Sequence, residues 1–146
     1  MGAESVDLGG NVERFTGFAD VYDQFRPHPP PALRALLFQL AQAAAAHLVV
    51  DLGSGTGLST RFWAAAATEV VGIEPSTDMR NMAAQQTTAP NVRYRNGYAH
   101  DTGLLDAAAD IVTCSQSLHW MEPQATFLES ARILRVGGVF AAYDCD

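Results

Sequence analysis

Gly53, Gly55 and Gly57 stand at alternate positions directly after His47-Leu48-Val49-Val50-Asp51-Leu52, an apolar run with a single acid inside it. Such a run, rich in β-branched residues, reads as a strand buried on both faces. Glycines at its carboxyl end let the chain turn tightly and leave bare backbone for a ligand, at the edge where open α/β sheets take ligands. Glu74 closes a second apolar run, 69–74, nineteen residues after Gly55. A carboxylate at that place can accept both hydroxyl protons of a ribose that carries no 2′-phosphate. A dinucleotide fingerprint, G-x-G-x-x-G, needs its third glycine at position 58, where Leu58 stands, so the spacing disfavours NAD. The chain also contains no lysine, which excludes the Tyr-x-x-x-Lys pair of many NAD-linked oxidoreductases.

Other reactive side chains are few. His119 and Trp120 follow a further apolar run, 109–115, and a histidine near neutral pKa can remove a proton from a hydroxyl or amine as it attacks. Cys114 and Cys145 are too few for a four-ligand zinc site, so no metal is expected, and Cys114 reads as a small apolar residue within its strand.

The elements that must position these residues alternate in type. Residues 31–46 form a helix opened by Pro31, 47–52 a strand, 59–67 a helix and 69–74 a strand. Ser76 caps a helix through residue 84; strands follow at 91–95 and 109–115, then a helix at 123–134 and a strand at 138–143. Such alternation predicts a three-layer, doubly wound parallel α/β sheet. Residues 1–31, Gly- and Pro-rich with scattered aromatics, form an N-terminal arm, and 32–146 form the domain.

Composition sets further bounds. With 146 residues, 48% hydrophobic, 17% charged and a net charge of -7, the chain makes one acidic globular domain. Its nine basic residues are all arginines, scattered singly, and form no stripe that could neutralise a run of phosphates, so nucleic acid is not an expected partner. The N-terminus lacks a basic secretory region, and no apolar run approaches the roughly 18 residues of a membrane span. A soluble, cytoplasmic protein is expected.

Four segments in order, Val49-Val50-Asp51-Leu52-Gly53-Ser54-Gly55-Thr56-Gly57, Val71-Gly72-Ile73-Glu74-Pro75-Ser76, Asp110-Ile111-Val112-Thr113-Cys114-Ser115 and Leu134-Arg135-Val136-Gly137-Gly138-Val139-Phe140, resemble the seven-stranded S-adenosylmethionine-dependent methyltransferases of small-molecule type. The similarity covers roughly residues 20 to 146. It implies a Rossmann-like sheet of order 3-2-1-4-5, without the family's strands 6 and 7, and S-adenosyl-L-methionine as cofactor. By the same resemblance Asp51, Gly53, Ser54, Gly55 and Gly57 hold the methionine part, Glu74, followed by Pro75, holds the ribose, and Met79 packs on the adenine. Ser115 and Gln116 lie beside the cofactor, and Tyr22 and Arg26 in the arm fold over it, with His119 as the candidate base. Where the family commonly has Gly-Asp-Ala after the third strand, this chain has Gly97-Tyr98-Ala99, which leaves adenine contact to backbone near Tyr98 and Ala99.

The function implied is methyl transfer to a small-molecule acceptor, a carboxylic acid or a hydroxylated metabolite. The competing expectation is a cofactor-binding fragment with little activity, because the sequence stops just after the fifth strand. That strand's outer edge invites either the rest of a longer protein or a second copy, as a homodimer.

Overall fold

The computed structural model describes residues 27–144. Tyr22, Arg26 and Cys145 lie outside the described residues, as does nearly all of the arm.

Five strands, all parallel, make one sheet in the order β3-β2-β1-β4-β5: β1 (Ala46–Leu52), β2 (Ala67–Ile73), β3 (Val92–Arg95), β4 (Ala109–Ser115) and β5 (Leu134–Tyr143). The strand order reverses between β1 and β4, which opens a crevice beyond their carboxyl ends. Period two sorts the side chains onto two faces. Val50, Leu52, Val71, Ile73, Val112 and Cys114 pack on one face with Ile133 of α4 (Pro123–Ile133). Val49, Val70 and Ile111 pack on the other with Trp63 and with Leu37 of α1 (Pro31–Leu40). Cys114 is buried in the core, as its apolar context predicts.

Several predicted boundaries move, three of them for reasons that the packing shows. α1 opens at Pro31 but stops at Leu40, short of the alanine run. There Ala43 N donates to Phe38 O and Gln42 N to Gln39 O, with Gln42 at φ +50, a Schellman closure made without glycine. Ala46 instead starts β1, paired with Ala67.

The helix expected over 59–67 is split into α2 (Leu58–Phe62) and a 3-10 turn (Ala64–Ala66). Trp63 sits at the join, fully buried, with Phe38 and Phe62 edge-on to its ring. α3 (Thr77–Gln86) is capped as expected, the Ser76 hydroxyl accepting from Met79 N at 3.3 Å.

β5 begins at Leu134 and not at 138, because the Gly-Gly pair lies in a bulge inside the strand. Leu134 pairs with Ala109 and Val139 with Ile111, and Gly137 turns through φ +81. Arg135 fastens the bulge, donating to Asp110 Oδ1 at 2.6 Å and to Ala41 O at 3.0 Å. Asp110 Oδ2 in turn accepts from His47 N and Leu48 N, tying β1, β4 and β5 at their amino ends. Among the described residues no helix is long and apolar enough to cross a membrane.

Candidate functional site

The carboxyl ends of β1, β2 and β4 surround a cavity of about 260 Å³. Asp51, Gly53, Ser54, Gly55, Glu74, Met79, Ser115 and Gln116 all line it. Those eight were singled out from the sequence, and they meet because β1, β2 and β4 end together at the switch point. Pro75, Tyr98 and Ala99 line an adjoining depression of about 380 Å³ that shares Gly53, Glu74, Ser117 and Trp120 with the cavity.

Each glycine turns through positive φ, yet they face different surroundings. At Gly55 a Cβ would meet nothing within 4 Å, so its backbone lies bare to open space. Gly57 departs from expectation. It does not line the cavity but caps α2, and a Cβ there would come within 2.7 Å of Tyr94 Cζ and 2.9 Å of the Arg61 guanidinium. Its role is close packing of the loop against β3.

The loop is held from several sides. Ser54 N donates to Ile73 O at 3.1 Å, Arg61 donates to Thr56 O at 2.8 Å, and Gly55 N donates to Glu74 Oε1 at 3.1 Å. Glu74 Oε2 accepts from Ser76 N at 2.9 Å. Ser54 Oγ is buried and makes no hydrogen bond.

Asp51 is buried, and each of its carboxylate oxygens accepts from a buried hydroxyl: Thr60 of α2 at 2.8 Å and Thr113 of β4 at 2.9 Å. A buried carboxylate needs such donors. Thr60 and Thr113 were missed from the sequence, although Thr113 left a signal, a hydroxyl set between Val112 and Cys114 inside a buried strand; the structure places it in register with Asp51.

Tyr143 was also missed. It ends β5 opposite Ser115, and its hydroxyl lies 2.7 Å from Ser59 Oγ at the cavity wall. Burial, reinforced by the charge of Asp51, pushes its phenol up to about 12, so it is neutral at any physiological pH. Gln116, at φ +53, donates its N–H to Tyr143 O at 2.9 Å.

His119 lies off the cavity. It is exposed on a 3-10 turn (Leu118–Trp120) and lines a further depression of about 610 Å³ between the ends of β4 and β5. Trp120, 83% exposed, stands at the cavity lip. Pro27 and the buried Pro29 complete the cavity wall, at the root of the arm. No group of three or more His, Cys, Asp or Glu side chains among the described residues could hold a metal ion.

Comparison with known proteins agrees with this geometry. Residues 50–142 match the family described as methyltransferase domain. An uncharacterized methyltransferase of Mycobacterium tuberculosis is 34% identical over 125 residues, covering 85% of this chain and 49% of that protein. The crystal structure of YcgJ from Bacillus subtilis, 29% identical, overlays with a TM-score of 0.68 over 76% of this chain and 49% of that one. A solved chain from Anaeromyxobacter dehalogenans, 32% identical, overlays with a TM-score of 0.73 over 82% and 49%. This chain thus spans about half the length of the curated relatives it matches. The matched segment runs from β1 to the end of β5 and contains the glycine loop, Asp51, Glu74 and the end of β4, and by it the chain belongs to the methyltransferase domain family.

Proposed function

We propose that the chain is the cofactor-binding part of an S-adenosylmethionine-dependent methyltransferase that acts on a small molecule, a carboxylic acid or a hydroxylated metabolite, in the cytoplasm. The observation that carries this reading is the single cavity that gathers Asp51, Gly55, Glu74, Met79, Ser115 and Gln116.

The residues present fit such a cofactor. Gly55 leaves open space over its backbone, and Ser54 Oγ is a buried group without a protein partner at the cavity wall. Each Glu74 oxygen accepts one backbone N–H, so lone pairs remain for two ribose hydroxyls. Gly53, Ser54 and Gly55, with Asp51 behind them, would hold the methionine part, and Met79 with Pro75, Tyr98 and Ala99 would face the adenine. A solved structure of an S-adenosylmethionine-dependent methyltransferase from Mesorhizobium loti, 27% identical with a TM-score of 0.65, supports S-adenosylmethionine as the cofactor.

Bound there, S-adenosylmethionine would supply a methyl group already activated by its sulfonium. The chain's own contribution is orientation and exclusion of water, which can account for most of the acceleration. Gln116 and Ser117 line both the cavity and the depression that holds His119, so they stand where the two reactants would meet. An unprotonated ring nitrogen of His119 would take the proton from an acceptor hydroxyl.

Calorimetric titration with S-adenosylmethionine, S-adenosylhomocysteine and NAD tests the reading. Binding of the first two and not of NAD is expected, and the reverse order would overturn it. A chain that binds cofactor yet turns over no acceptor would favour the fragment reading.

A further inference from the structure

Trp120 has a setting unlike that of the other residues at the cavity. Among the described residues it is the one aromatic side chain that lines the cavity, and it also lines the adjoining depression of about 380 Å³. The two spaces share Gly53, Glu74, Ser117 and Trp120, and of these four only Trp120 stands out into solvent. The turn beneath it is pinned at both ends. Ser117 Oγ donates to Leu52 O at 3.0 Å, Trp120 N donates to Ser117 O at 3.0 Å, and Met121 packs on the core beside Cys114. The backbone at position 120 is therefore held in place, while the indole, tilted against the His119 ring at 4.8 Å, is left 83% exposed.

We propose that Trp120 is a ligand-contacting residue whose indole turns down over the nucleoside half of the cofactor and closes the mouth shared by the two spaces. The proposal rests on the S-adenosylmethionine reading and adds a residue to its site. Single exposed apolar side chains are ordinary on a protein surface, so exposure alone argues for nothing. The argument is position: Glu74, which would hold the ribose, and Pro75, Tyr98 and Ala99, which would face the base, border the spaces over which Trp120 stands. A ribose and a purine offer apolar and aromatic faces to an indole, which gains by exchanging water for them. Rotation about the side-chain bonds is enough, a motion that exposed residues make within nanoseconds, so no backbone segment has to move. The methionine half would lie by Asp51, Ser54 and Gly55, which line the cavity and not the depression, and so should not draw the ring down.

The chain's two tryptophans make the test direct, because Trp63 is fully buried and Trp120 is 83% exposed. Acrylamide should quench Trp120 and spare Trp63, so the quenchable part of the emission reports on position 120. Saturating S-adenosylhomocysteine, with saturation established by calorimetry, should shift the emission to the blue and remove most of the acrylamide quenching. Methylthioadenosine should protect position 120 in the same way, and methionine should not. Trp120→Phe should abolish both optical signals and keep most of the affinity, since a phenyl ring still covers the ligand. Trp120→Ala should weaken S-adenosylhomocysteine by about tenfold, the loss expected of one stacked aromatic, with the thermal midpoint unchanged. S-adenosylhomocysteine that binds while quenching stays as it was, Trp120→Ala that binds as tightly as the parent, or protection by methionine and not by methylthioadenosine would each overturn the proposal and leave the cofactor reading intact. No binding by calorimetry would remove the cofactor reading and this proposal together.

Discussion

Glu74 Oε1 accepts the backbone N–H of Gly55 at 3.1 Å, so the acid that follows β2 fixes the loop that follows β1. One side chain thereby sets the loop geometry and presents oxygens to the same cavity. Glu74→Ala should weaken S-adenosylhomocysteine by about 1.5–3 kcal/mol, the range for hydrogen bonds to a charged group, with little loss of folding. Glu74→Gln should lie between, since its amide keeps one acceptor oxygen. Calorimetry measures both, and an unchanged dissociation constant in Glu74→Ala would sink the ribose assignment.

Gly55→Val and Gly57→Ala should fail differently. At Gly55 the space is open but the backbone is left-handed, so valine should abolish cofactor binding in a chain that still folds. At Gly57 even alanine strikes the Tyr94 ring at φ +85, and the thermal midpoint should fall, with about 1–2 kcal/mol lost from backbone strain before the clash is counted. Circular dichroism melts alongside calorimetry separate the two, and a Gly55→Val variant that still binds would show the loop to be only a turn.

Asp51→Ala should cost roughly 1–3 kcal/mol for the Thr60 hydroxyl left without its acceptor, and less at Thr113, whose hydroxyl keeps Val50 O at 3.5 Å. Asp51→Asn should also lower the Tyr143 phenol from about 12, because the carboxylate's charge is one cause of the rise. Burial, the larger cause, should keep it above 10. Spectrophotometric titration of the phenol reads this, and no change would mean that Asp51 and Tyr143 do not sense each other.

Glu129 gives the fold an acid limb. The Arg132 guanidinium beside it, with Thr102 donating from both N–H and hydroxyl, holds its carboxyl down to about 2, below the ordinary 4.5. A carboxyl lowered on folding contributes stability that is fully present above its unfolded pKa and is lost as pH falls through the folded one. Stability should therefore decline between about pH 4.5 and 2, and Glu129→Gln should flatten that decline in a pH series of thermal melts. An identical acid limb in the variant would assign the decline elsewhere.

β5 pairs only with β4 among the described residues, and Val136 in its bulge is 98% exposed. Unpaired strand edges recruit further strands, so light scattering should show an apparent mass that rises with concentration as copies pair along β5. A monomer's mass up to the solubility limit would rule out pairing between copies.

The sheet and the cavity were legible because they rest on local chemistry. Val49-Val50, Val70-Val71 and Ile111-Val112 mark strands covered on both faces, the three glycines mark a sharp turn, and Ser76 marks a helix start. What escaped depends on partners distant in the chain. Gln42 closes α1 in a conformation that usually announces itself by glycine, and Arg135 draws the Gly-Gly pair into a bulge by reaching Asp110 and Ala41. Gly57 resembles its neighbours in sequence and faces Tyr94 for reasons only β3 supplies. Ser59 and Tyr143, 84 positions apart, have no local pattern that joins them.

The hydroxyl clasp on Asp51 also bears on the order of folding. The segment from β1 to α3 contains the glycine loop and Glu74 and is nearly contiguous, but Thr113 arrives from β4, 62 residues on, and Tyr143 arrives later still. Pairings of such separation close slowly, because loop entropy must be overcome before any contact forms. The ligand-binding end of this sheet therefore cannot mature ahead of the whole: until β4 inserts beside β1, the Asp51 carboxylate lacks its second donor and the loop above it lacks a floor. Affinity and cooperative folding arise in one event, and amide exchange at Gly55 should track global unfolding and not local fraying.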